Sequence, residues 1–322
     1  MARDDGTTWR QGLDKGKLID LGRILASHGY RFTTISPLSH ERVNARCSSD
    51  RAHSIEDVFG WNRPFEASVL PHEIFKLLES ATLLEEVEPD IFRMRLRVST
   101  IGAHLYFHSA FPTTDVDAVF FGPDTYRLVR EARLQMNDRN FRPKRIADMG
   151  CGSGAAAIEL AGLRPDAEVL AVDINQSALL LTEVNASLAN TLNVESRESN
   201  LFHGLDGEFD LIVSNPPFMA DLGERLYRNG GADLGIEFPL LLIEQALERI
   251  AVRGRLWMYS GVPIVRGENV FIKRLSNVLN GPRWRWDYEE IDADIFGEEL
   301  EKPPYDQADR ISAAWIRIER LV

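Results

Sequence analysis

The stretch Asp148-Met149-Gly150-Cys151-Gly152-Ser153-Gly154 constrains this chain more than any other. It follows a short apolar run at 145–148 and precedes an alanine- and leucine-rich stretch at 155–163 with helical character. Glycine at alternate positions between a strand and a helix lets a ligand approach the backbone and supplies the unusual dihedrals such a loop needs. Asp173 stands nineteen residues beyond Gly154, at the end of the next apolar run, 168–172, where a carboxylate is placed to accept from two ribose hydroxyls. Helices are expected at 177–188 and 239–250, and strands at 211–213, 255–259, 286–291 and 313–318. This alternation reads as a parallel α/β sheet with crossover helices. The glycine loop and the acid alone also fit a dinucleotide-dependent dehydrogenase.

Upstream of Pro143 the pattern differs. Leu18, Ile19, Leu21, Ile24 and Leu25 recur at helical spacing, and a second amphipathic helix opens at 70–78 and ends near Leu83 and Leu84. Residues 92–98 alternate at period two as a half-buried strand does, with 101–107 as its partner. The reading is a mainly helical substrate-recognition domain over 1–130, with a short strand platform, followed by a catalytic domain over 131–322.

Composition restricts the partners. The 322 residues, 44% of them hydrophobic, suffice for packed cores, and no run reaches the roughly 20 apolar residues that span a bilayer. The N-terminus lacks a secretion signal, so a cytoplasmic location is expected. A net charge of −12 disfavours nucleic acid as partner, because phosphate binding rests on a basic footprint. Cys47 and Cys151 offer neither a disulfide framework nor metal spacing. Residues 287–306 carry nine acids against Lys302 alone, either a solvated loop or a lip that attracts a cationic substrate.

The second informative motif is Asn215-Pro216-Pro217-Phe218, directly after the apolar run 209–214. Two consecutive prolines can neither continue a helix nor pair within a sheet, so the chain leaves the sheet as a rigid turn there. A planar nitrogen that attacks an electrophile needs acceptors for its N–H groups and an aromatic face against its plane. Asn215, the Pro216 carbonyl and Phe218 suit those roles. The plainer alternative is a turn and nothing more.

Together the two motifs resemble class I S-adenosylmethionine-dependent methyltransferases. Asp148 to Gly154 look like their motif I, and Asn215 to Phe218 like the Asn-Pro-Pro-aromatic motif of the amino-methyltransferase branch, which includes the glutamine methyltransferases of release factors, ribosomal guanine N2-methyltransferases and adenine N6 enzymes. Phe121-Gly122-Pro123-Asp124-Thr125-Tyr126 is similar to that branch's segment closing over the cofactor, and Gly230 to Gly235 to a loop of the glutamine-methylating members. The resemblance implies a Rossmann-like seven-stranded sheet and S-adenosyl-L-methionine as cofactor. The cofactor residues it implies are Asp148, Gly150, Cys151, Gly152, Gly154, Asp173, Ile174, Asn200, Leu201 and Thr125. Asn200 departs from the Asp that many relatives carry.

Catalysis is expected of Asn215, Pro216 and Phe218, and substrate binding of Pro217, Tyr227, Asp233, Glu237, Glu298 and Glu299, with Arg228 and Glu224 as further candidates. For the loop residues, simple loop anchoring is the competing role. Because the N-terminal part looks like neither a standard RNA-binding module nor the short helical domain of release-factor methyltransferases, and the chain is acidic, the expected acceptor is a small metabolite: a guanidine such as that of arginine, an amide or an amine. The alternatives are a macromolecule, either a protein glutamine or a ribosomal RNA nucleobase, and a cofactor-binding protein without turnover. Oligomeric state is left open. His104 and His108 read as structural rather than metal-binding, and Trp284 and Trp286 as one face of a strand.

Overall fold

A computed structural model of the chain describes residues 13–322 except positions 47, 49, 222 and 224. Cys47 and Glu224 thus lie outside the described residues. Helix α1 (Lys15–Ser27) buries Leu18, Leu21 and Leu25, and the Asp14 carboxylate caps its first amides. Ser36 and Ser54 cap α2 (Pro37–Asn44) and α3 (Ile55–Phe59) in the same manner. Then come β1 (Phe65–Glu66), α4 (His72–Ser80), β2 (Leu84–Glu88) and β3 (Ile91–Met94), whose strands form an antiparallel sheet ordered β1-β3-β2.

The period-two run expected as one strand is two. At Arg95 the chain passes from β3 into β4 (Leu96–Ile101), which pairs with β5 (His104–Ser109) in a separate hairpin. β4 is buried along its whole length whereas β3 is half-exposed, so the two serve different surfaces. The N-terminal region therefore combines the helices α1 to α4 with two small antiparallel sheets, more strand than a short platform. Helix α5 (Pro123–Gln135) runs through position 130, so the expected boundary falls inside a helix.

The remainder is a layered α/β unit. Its elements are β6 (Arg145–Met149), α6 (Ala155–Leu163), β7 (Glu168–Asp173), α7 (Gln176–Ala189), β8 (Val194–Glu198) and β9 (Phe209–Ser214). They continue with α8 (Glu237–Leu247), β10 (Ile250–Val265), β11 (Glu268–Asn269), α9 (Val270–Val278), β12 (Trp284–Asp292) and β13 (Arg310–Arg320). Seven strands form one sheet in the order β12-β13-β10-β9-β6-β7-β8, and short β11 is appended to β10. β8, β7, β6, β9 and β10 run parallel, while β13 and β12 are antiparallel to their neighbours. Crossover helices cover both faces, which is why the central strands Ile146–Met149 and Leu211–Ser214 are buried without alternation. The N-terminal region packs on α7: Ala178, Leu181 and Val184 share a core with Leu18, Leu21, Leu25 and Phe107. No described helix is long and apolar enough to cross a membrane.

Candidate active site

Strands β6, β7 and β9 point their carboxyl ends the same way, and the loops beyond them enclose a cleft of about 270 Å³. Gly150 and Gly152 adopt φ of 71° and 55°. A Cβ at Gly150 would meet nothing within 4 Å, so the loop presents bare backbone to the cleft. Gly154 has a different reason to be glycine: a Cβ there would lie 2.7 Å from Thr182 Cγ2, where α6 starts against α7. It does not line the cleft.

Two acids hold this loop, Asp148 buried and Asp173 half-buried. Asp148 accepts from the Ala157 amide at 2.9 Å, and burial, with the Asp173 charge adding to it, pushes its carboxyl up to about 7. Asp173 accepts from the Gly152 and Asn175 amides at 3.0 and 2.9 Å. Burial raises its pKa and these amides oppose the rise. The Cys151 thiol is also pushed up by burial, which leaves it a small filler of the loop and no nucleophile. Thr125, Ile174, Asn200, Leu201 and Pro217 complete the cleft, so Pro217 faces this side and not the acceptor side.

A second chamber of about 360 Å³ adjoins the first. Four residues line both: Phe120, Asn215, Pro216 and Tyr227. They frame the aperture between them. Phe120 and Tyr227 stack at 5.4 Å with an interplanar angle of 3°, and the Tyr227 hydroxyl donates to the Thr113 carbonyl at 3.1 Å. Gly122 lets Phe120 take this position, since a Cβ there would come within 2.6 Å of the ring. Opposite, Ser214 donates to the Met149 carbonyl at 2.7 Å and fixes the end of β9 against the strand that carries the glycine loop. The next side chain, Asn215, has its Oδ1 buried and without a hydrogen-bond partner among the described residues. An unpaired buried acceptor costs about 1–3 kcal/mol, a cost that an incoming N–H relieves.

Phe218 is 7% exposed, with its ring against Tyr259 at 6.1 Å and Phe296 at 6.0 Å. Gly261 makes room for it; a Cβ there would meet the ring at 2.5 Å. It forms a wall of the second chamber, and the aromatic faces at the aperture belong to Phe120 and Tyr227. Sequence reasoning missed Phe120, although it directly precedes the quoted segment 121–126.

The remaining walls come from Pro37, Leu38, Glu41, Phe111, Asp124, Arg225, Arg228, Glu298 and Glu299. Most of the acidic run is offset by arginine. Glu299 pairs with Arg228 and Asp292 with Arg127, both at 2.8 Å; Asp287 and Glu289 pair with Arg317, and Glu290 with Arg310. Asp233 and Glu237 line neither cavity: the first pairs with Arg274, and the second accepts from the Ala232 amide at 2.9 Å. His104 bonds Glu159 at 2.9 Å and buried His108 bonds Ser99 at 2.7 Å. Trp284 and Trp286 pack half-buried on the core. Among the described residues no group of three or more His, Cys, Asp or Glu is placed to hold a metal ion.

Residues 131–261 match the family model described as methyltransferase small domain. The release factor glutamine methyltransferase of Xylella fastidiosa strain Temecula1 is 42% identical over 121 residues, 37% of this chain and 42% of its own length. That of Escherichia coli K12 is 33% identical over 150 residues, 43% of this chain and 53% of its own. Residues 131–261 thus form a methyltransferase domain, similar to that of the release factor glutamine methyltransferases. The chain spans about half the length of these curated relatives, and residues 1–130 lie outside the family model. Among solved structures, the ribosomal protein L11 methylase of Lactobacillus delbrueckii subsp. bulgaricus aligns at 22% identity and a TM-score of 0.40. That alignment covers 59% of this chain and 78% of the other.

The methyltransferase cleft fits S-adenosylmethionine: bare glycine backbone, a strand-end carboxylate, and apolar walls at Ile174 and Leu201. The expectation of a small-molecule partner is overturned, because the matched relatives are named for a protein acceptor. Part of the physical ground for that expectation also weakens, since Glu299, Asp292, Asp287, Glu289 and Glu290 are paired with arginines, whereas Glu298 lines the second chamber.

Proposed function

We propose that this chain transfers a methyl group from S-adenosylmethionine to the side-chain nitrogen of a glutamine in a protein acceptor, a release factor being the first candidate. The observation that carries this reading is the buried, unpartnered Asn215 Oδ1 at the aperture between the two cavities. A primary amide presents two N–H groups, and Asn215 Oδ1 and the Pro216 carbonyl are the acceptors for them. With its N–H groups held by these two oxygens, the amide would present its lone pair, which stands perpendicular to the amide plane, toward the cofactor cleft, and Phe120 and Tyr227 would supply apolar walls of the aperture.

When bound, the cofactor supplies a methyl group already activated by its sulfonium. The protein contributes alignment and exclusion of water, and its two oxygens favour the positive charge that develops on nitrogen. The Gly150 and Gly152 backbone would hold the amino-acid portion of the cofactor and Asp173 the ribose hydroxyls. Ile174, Leu201 and Asn200 would surround the base. The N-terminal region contributes Pro37, Leu38, Glu41 and Phe111 to the acceptor chamber, which makes it the specificity element of this reading.

The test uses purified protein with labelled S-adenosylmethionine, offered a bacterial release factor and a pool of free amides, amines and guanidines. Label on a release-factor glutamine, located by mass spectrometry, is the expected result. Asn215→Ala should lower turnover by about 10²-fold or more while S-adenosylhomocysteine affinity changes less than about twofold. Label confined to the small molecules, or equal losses of turnover and cofactor affinity, would refute the reading.

A further inference from the structure

The geometry points to Asp124 as a second acceptor-side residue, which receives the proton released by the nitrogen as it is methylated. This deepens the proposed function and rests on it for the identity of the acceptor. Asp124 and Thr125 are consecutive in the first turn of α5 and face opposite sides of the partition: Thr125 lines the cofactor cleft and Asp124 the acceptor chamber. Asp124 is 3% exposed. Its Oδ1 takes two donors, the Tyr259 hydroxyl of β10 and Arg127 Nη1 at 3.1 Å. Among the described residues no donor reaches Oδ2. A carboxylate so deep in the fold, with one oxygen satisfied twice and the other unused on a chamber wall, is arranged for a partner from outside the chain.

Amide methylation leaves a proton to be placed. The nitrogen lone pair forms the new N–C bond, the electrons of the breaking C–S bond stay on sulfur, and one N–H bond gives up its proton. Asn215 Oδ1 and the Pro216 carbonyl hold N–H groups but are too weakly basic to take a proton; Asp124 Oδ2 is a carboxylate. The charged groups around Asp124 are Arg127 on α5, Tyr259 on β10 and Arg228 in the loop after β9, with Asp292 at the end of β12 behind Arg127 and Glu299 behind Arg228. Burial raises the Asp124 pKa, while Tyr259, Arg127 and Arg228 restrain the rise. The group is thus a better proton acceptor than an exposed carboxylate.

Asp124→Asn separates this role from a structural one, because its amide oxygen still serves Tyr259 and Arg127 while an NH2 replaces Oδ2. With a release factor as acceptor, turnover should fall about 10²-fold. S-adenosylhomocysteine affinity and melting temperature should be unchanged, and the loss of activity on acidification through the Asp124 pKa should vanish. Tyr259→Phe removes a donor to the ionised form and should move that acid limb to higher pH.

A readout independent of the acceptor uses sinefungin, an S-adenosylhomocysteine analogue with an amine at the methyl position. The wild type should prefer it over S-adenosylhomocysteine by about tenfold or more, and Asp124→Asn should abolish that preference. Were the wild type to label no release factor while Asp124→Asn still abolished the preference, the glutamine reading would fall and the Asp124 assignment would stand. Retained turnover and preference in Asp124→Asn, or a parallel loss of S-adenosylhomocysteine binding, would overturn it.

Discussion

Replacing Gly154 by alanine should destabilise the protein through one identifiable contact. Gly154 sits at φ 77°, a left-handed conformation that costs an alanine about 1–2 kcal/mol. Its added Cβ would also lie 2.7 Å from Thr182 Cγ2, 2.9 Å from Oγ1 and 3.1 Å from Cβ, and overpacking of that kind costs about 1–3 kcal/mol. The total is about 2–5 kcal/mol. Thr182→Ala alone loses the hydrogen bond from Thr182 Oγ1 to the Gly152 carbonyl, 3.1 Å long, worth about 1 kcal/mol. Combined, the two changes should cost less than their sum by about 1–3 kcal/mol, because the alanine at 182 removes the two closest clashing atoms. Urea denaturation of the wild type, both single variants and the double variant measures this coupling. Gly150→Ala is the control: it shares the left-handed φ, at 71°, but its Cβ meets no protein atom, so it should show no coupling to position 182 and instead weaken cofactor binding. Additivity of Gly154→Ala and Thr182→Ala within about 0.5 kcal/mol would refute the packing argument.

Three further outcomes follow from the geometry. Gly261→Ala brings a Cβ within 2.5 Å of the Phe218 ring and should displace the Asn-Pro-Pro-Phe turn, lowering turnover about tenfold or more with cofactor affinity retained; steady-state kinetics beside calorimetry reads this. His104 has its pKa raised by its hydrogen bond to Glu159, so its stabilising contribution is complete below the ordinary value near 6.5 and is lost as pH rises through the raised value. The stability gap between wild type and His104→Gln should therefore narrow from pH 6 to pH 8.5 in denaturant titrations. Asp148 is the opposite case for a carboxylate: the fold raises its pKa to about 7, so the folded state holds the proton longer than the unfolded chain and stability declines as pH rises from about 4 to 7. Asp148→Asn, whose oxygen still accepts from Ala157, should remove that part of the decline, and its absence from the pH–stability difference curve would count against the burial argument.

The catalytic half was largely legible in the sequence, because a parallel sheet buries its strands on both faces and leaves apolar runs bounded by glycine and acid. Helix α6 and strands β6, β7 and β9 lie within one to three residues of expectation. β8 went unseen because Val194-Glu195-Ser196-Arg197-Glu198 lies at the sheet edge with little to bury. The amphipathic helix α9 was also not anticipated. The N-terminal region holds more strand than its pattern suggests: 92–98 alternates without a break although the chain changes sheet at Arg95, and Leu84, expected near the end of a helix, starts β2.

Local chemistry alone determined the glycine loop, the acid at 173 and the rigid exit at Pro216-Pro217, since each depends on the dihedrals and donors of a few adjacent residues. Which charges are free and which are spent is a matter of distance between residues far apart in the chain. Glu299 is spent on Arg228, 2.8 Å away, and the Phe218 ring packs against Tyr259 and Phe296, contacts between segments that no local pattern relates. Asp124 drew no attention in a motif that resembles a cofactor clamp, because a helix turn sends neighbouring side chains to different sides, and only the packing of α5 against β10 put one of them on the acceptor wall.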